Sequence, residues 1–175
     1  MLDIWTNIAP LTGVVALLIA MALLMRVKAL PAGNARMIEI GGYIREGAMA
    51  FLGREFKILF LYSVVVFGVV YYMLNPYAAG AFLAGAILSL CAGYAGMNSA
   101  TLSNIRTAQA AKDKGRASAL MVAFDGGAVM GLCVAGLGII GLGLICKFFY
   151  GDEHFVHIIH GFGVGASSIA LFARV

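Results

Sequence analysis

The chain has 175 residues, 62% of them hydrophobic and 11% charged, against roughly 45–50% apolar and about 25% charged in an average soluble domain. A chain of this length has too little interior to hide that excess from water. Its mean hydropathy of +0.97 and its 12 basic and 8 acidic residues exclude a soluble globular domain, a disordered tail and a nucleic-acid module. The expected class is all-α, a polytopic transmembrane helix bundle whose partner is the lipid bilayer.

An uncharged apolar run of about 18 residues can cross the hydrocarbon layer as a helix. Ile8–Met25 qualifies first. The stretch Glu39–Lys57 mixes Arg45-Glu46 and Arg54-Glu55 with apolar residues at helical spacing, which predicts an amphipathic cytoplasmic extension of the next span. That span, Ile58–Leu74, stops at Asn75-Pro76. Tyr77–Ile105 follows and turns polar near Asn98, where NSATLSNIRT continues it. Asp113 and its basic neighbours read as a solvated turn. Gly126–Cys146 and Phe155–Ala173 complete about five spans, in one domain covering residues 1–175.

Charge sets the expected orientation. Arg26, Lys28, Arg36, Arg45, Arg54 and Lys57 lie between the first two spans, and Arg106, Lys112, Lys114 and Arg116 between the third and fourth. Basic connectors stay in the cytoplasm, so the N-terminus is expected outside and the C-terminus inside. The protein is expected in the cell's inner (plasma) membrane.

Small residues recur at four-residue spacing: Ala81, Gly85, Ser89 and Gly93; Gly127, Gly131 and Ala135; Gly161 and Gly165. Such rows let helix backbones approach closely. Cys91, Cys133 and Cys146 lie in apolar stretches without metal-ligand spacing and read as small core residues. Asp125 falls at the expected start of the fourth span, where a carboxylate suits the helix dipole. His154, His157 and His160 recur every three residues. Such a row can share a metal or relay protons, but the plainer reading is interfacial side chains. No paired carboxylates, phosphate loop, nucleophile set or dinucleotide fingerprint is present. The residues alone therefore define a membrane bundle without a stated activity. A small assembly subunit or channel component fits them as an alternative.

Four stretches add a resemblance. IREGAMAFLGREFK (Ile44–Lys57), GYAGMNSATLSNIRTAQAA (Gly93–Ala111), ALMVAFDGGAVMGLCVAGLGIIGL (Ala119–Leu142) and GFGVGASSIALFARV (Gly161–Val175) together resemble the N-terminal part of membrane-integral pyrophosphatases. These are ion pumps driven by inorganic pyrophosphate. The resemblance implies a homodimer with many more helices, Mg²⁺-bound pyrophosphate as cytoplasmic substrate, and outward H⁺ or Na⁺ transport. The family's aspartate-rich substrate motif follows the ALFARV-like segment, beyond Val175. A chain holding only residues 1–175 is thus expected to lack catalytic and metal-binding residues, to bind no Mg²⁺ alone and to be inactive. One functional position is implied within it: Arg174, which matches the arginine of the family's ion-coupling region. The remaining helices of the pump are the implied partners.

Overall fold

The computed structural model describes residues 2–172, with side chains from 6 to 171; Met1 and residues 173–175 lie outside that description. Five helices follow in chain order: α1 Leu2–Ala29, α2 Ala35–Met73, α3 Pro76–Lys114, α4 Arg116–Phe149 and α5 Phe155–Phe172. Four of them are long and apolar enough to cross a membrane, and α5 is a shorter apolar helix. The class is the one expected, a polytopic helical bundle.

Helix ends follow local chemistry. The Asn75 side-chain oxygen accepts a bond from the Ala78 N–H at 2.7 Å, with Pro76 in the first turn. Asn34 does the same for Met37 at 2.9 Å. Each satisfies a donor that the first helical turn leaves free. Gly115 alone separates α3 from α4, at φ +81°, a backbone conformation that a side chain strains.

Asp113 and the start of the fourth span differ from expectation. Asp113 is no turn residue: it lies in the last turn of α3 and accepts a 2.6 Å bond from the Gln109 amide. The fourth span begins ten residues earlier than expected, because ALMVAF before Asp125 is also apolar and nothing after Gly115 stops a helix. Residues 39–57 are helical as expected, forming one continuous rod with the second span.

Apolar helices gain little from leaving lipid for one another, so close packing must hold them together. Two glycine seams do this. Along α1 and α4, a Cβ on Gly13 would come within 2.6 Å of the Gly136 carbonyl oxygen, and one on Gly136 within 2.9 Å of the Gly13 oxygen. Farther along, a Cβ on Gly143 would meet the Pro10 ring at 2.8 Å. Between α3 and α5, Gly161 faces the Ala78 backbone, Gly165 the Phe82 backbone, and Gly85 the backbone of Phe162 and Ala166. Apolar clusters flank that second seam. One joins Ala81, Ile145, Ile158 and Phe162, the other Leu59, Ala86 and Ile169.

The expected rows fare unequally. Gly161–Gly165 and Gly85 do pack. Gly93, Gly127 and Gly131 have nothing within 4 Å of a Cβ position, and Ala135 is exposed. In α4 the packed glycines are Gly126, Gly136, Gly141 and Gly143 instead.

Candidate functional site

Polar side chains gather at the end of the bundle that carries the basic residues. Arg106, half-buried on α3, reaches across to α1 and donates to the carbonyls of Leu30 and Lys28 at 3.2 Å each, and to Leu102 of its own helix at 2.8 Å. The last carbonyls of a helix have no partners within it. A cation there satisfies them and suits the helix dipole. In the sequence Arg106 counts toward the basic connector and also lies in the polar helical run NSATLSNIRT; the structure makes it the clamp on the end of α1.

One turn earlier on α1, an Arg26 guanidinium nitrogen stands 3.5 Å from an Asp125 oxygen of α4. The Asp125 side chain is 10% exposed and that of Arg26 62%. Asp125 sits ten residues into α4, so the helix-dipole reading is overturned: the effect fades beyond the first turn. What balances this buried carboxylate is Arg26. Next to it, the Ser99 hydroxyl donates to the Gly126 carbonyl at 2.9 Å, and Ser103 to the Ser99 carbonyl at 2.8 Å. Gly126 has no side chain because Ser103 occupies the place a Cβ would take. Thr101 turns back onto Met97 and Asn98 of its own helix. Asn98 accepts from Arg45 of α2 at 3.0 Å. The NSATLSNIRT segment is therefore largely internal: it ties α3 to α4, α2 and α1.

This arrangement neutralises a buried carboxylate, satisfies backbone groups and fixes how four helices meet. It holds no nucleophile beside a base. Among the described residues, no three His, Cys, Asp or Glu side chains stand close enough to hold a metal ion. His154 pairs with Glu153 at 3.3 Å and stacks on Tyr77, while His157 and His160 are exposed. The three cysteines are free thiols. Arg174, the one expected coupling residue, lies outside the described residues.

A helical bundle of this kind, with buried polar bonds at one end, defines a multi-pass integral membrane protein. The model of a family described as inorganic H⁺ pyrophosphatase matches residues 14–175, and the chain belongs to that family. Its relatives carry the names of ion pumps. A Clostridium tetani protein, provisionally named a K⁺-stimulated pyrophosphate-energized sodium pump, is 49% identical over 165 residues, covering 94% of this chain and 24% of its own length. A K⁺-insensitive pyrophosphate-energized proton pump of Methanosarcina mazei is 42% identical over 169 residues, covering 95% and 24%. A K⁺-stimulated pyrophosphate-energized sodium pump of Thermotoga maritima is 37% identical over 165 residues, covering 83% and 23%. The chain thus spans about a quarter of the length of the curated relatives it matches. Family and apolar helices together make it a multi-pass protein of the plasma membrane.

Proposed function

We propose that this chain is the N-terminal membrane portion of a pump that couples pyrophosphate hydrolysis to outward movement of H⁺ or Na⁺. The observation that carries this is the match over almost the whole chain to proteins named as pyrophosphate-energized pumps. The pump works as a homodimer, its two basic connectors face the cytoplasm, and Arg174 serves ion coupling.

Hydrolysis of pyrophosphate needs several Mg²⁺ ions to neutralise its charge and carboxylates to orient an attacking water. The described acidic residues do not fit such a site. Asp125 is tied to Arg26, Glu39 to Arg36 and Tyr43, and Asp113 to Gln109. The Asp152 carboxylate takes the His154 N–H, and Glu153 pairs with the His154 ring. Those five carboxylates are already engaged, Asp152 and Glu153 both by His154, and no three described His, Cys, Asp or Glu side chains gather at one point. In this reading Mg²⁺ and substrate belong to the other three-quarters of the pump, and this quarter is scaffold and coupling surface. Purified alone in detergent with excess Mg²⁺, residues 1–175 are expected to release no phosphate from pyrophosphate above a protein-free blank. Sustained release by the purified chain would overturn the assignment of the chemistry to other segments.

A further inference from the structure

The uncharged runs of α1 and α3 end close together. That of α1 closes at Met25 and that of α3 at Ile105, and Arg106 bonds the Lys28 and Leu30 carbonyls just past the first. From Arg106, α3 runs on to Lys114, roughly 12 Å at the helical rise. A bilayer is thicker than its hydrocarbon core by about 10–15 Å, shared between its two polar faces. The headgroup layer is therefore level with this last stretch of α3.

A cavity of about 60 Å³ lies there, between the α1–α2 connector, the end of α3 and the start of α4. It has room for more than a single water, which needs about 15 Å³. Pro31, Asp113 and Lys114 line it and are exposed, so it reaches the surface. Arg106 and Ser118 line it too. The Arg106 Nε, Nη1 and Nη2 atoms each donate once to a carbonyl, and a second N–H on each Nη is left over. Among the described residues, the Lys114 ammonium joins no ion pair and the Ser118 hydroxyl no hydrogen bond. Fewer groups oppose an anion. Asp113 is the one carboxylate in the lining, and its Oδ2 accepts from the Gln109 amide at 2.6 Å. The Gln109 oxygen is shielded and lies against the connector, 2.9 Å from where a Gly33 Cβ would stand. Two cations thus face one carboxylate.

We propose that this cavity seats the phosphate of an anionic phospholipid. Charge selects a phosphate group, and depth selects the lipid over a soluble anion, because the cavity lies in the layer where phospholipid phosphates are anchored. Basic pockets between membrane helices take lipid head groups in this way. The orientation proposed above puts the site in the inner leaflet. The proposal needs the helices to cross a membrane but not the pump reaction, so failure of the hydrolysis test leaves it standing.

The test titrates the purified full polypeptide, in detergent, with phosphatidylglycerol and reads the retained lipid by native mass spectrometry. Phosphatidylglycerol is expected to bind ahead of phosphatidylcholine, whose headgroup has no net charge, and to stay bound in excess inorganic phosphate. Lys114→Gln is expected to weaken the first bound lipid about fivefold, the share of one cation beside an anionic headgroup, and Lys114→Arg to restore it. Lys112→Gln removes a neighbouring exposed cation that does not line the cavity and is expected to leave binding unchanged. An unaffected Lys114→Gln, equal retention of phosphatidylcholine, or equal weakening by Lys112→Gln would overturn the seat. Displacement by inorganic phosphate would assign the cavity to a soluble anion and overturn the lipid.

Discussion

Gly165→Leu is expected to lower the stability of the helical bundle by about 3 kcal/mol, the cost of forcing a large side chain into a packed contact. The position leaves no room for relief. A Cβ there runs into the carbonyl, carbon and Cα of Phe82, which are backbone atoms of a helix and cannot rotate aside. The α5 rod must back away from α3, and Ile158, Phe162 and Ile169 then leave the two clusters they share with Ala81 and Ala86. No hydrophobic force pulls α5 back onto α3, because the membrane offers apolar surface as readily as α3 does. Gly163→Leu supplies the comparison. It lies on the same helix two residues away, with nothing within 4 Å of its Cβ position, and the expected change is under about 0.5 kcal/mol. Titration of both variants with sodium dodecyl sulfate in mixed micelles, following helix unfolding, reads the difference. Equal midpoints would deny the α3–α5 seam.

Asp125→Lys is expected to cost about 3–5 kcal/mol, the range for a buried charge left without its partner. The substituted ammonium would stand at a position only one-tenth exposed, against the Arg26 guanidinium. Asp125→Asn keeps the shape and an acceptor and loses only the charge, for about 1 kcal/mol. The diagnostic variant is the exchange Arg26→Asp with Asp125→Lys. It is expected to recover more than half of the loss seen with Asp125→Lys alone, in the same titration. If the double variant is no better than the single one, the two residues do not act as a pair.

Sequence reasoning reached the helices more readily than their partners. Uncharged length alone finds α1, and Asn75-Pro76 marks the α2–α3 hairpin, because both signals are local. Gly161 and Gly165 were legible as a packing face, since α5 is short and its small residues form one row. In α4 the glycines are too numerous for spacing to choose among them. Gly127–Gly131 and Gly136–Gly143 are equally plausible faces until α1 and α3 are in place, and α1 settles on the second. Asp125 was misplaced for a related reason. The apolar stretch before it carries no stop signal, so its depth in the helix depends on where α4 starts, and only the single-residue Gly115 connection fixes that. The clamp by Arg106 and the Arg26–Asp125 pair join residues 76 to 99 positions apart. No periodicity reports such pairs. The family itself was legible in four stretches of chain, whereas the coupling residue it implied, Arg174, falls outside the described residues.

The proposed pump requires the bundle to cross the membrane with its basic end inside the cell. Single cysteines at Arg36→Cys, Lys112→Cys and Glu153→Cys, on a background lacking the native thiols, test this directly with a membrane-impermeant maleimide. In intact cells the label is expected to reach position 153 and to miss 36 and 112, which become reactive once the membrane is opened. Labelling of 36 or 112 in intact cells, with 153 protected, would invert the protein in the membrane and contradict the account.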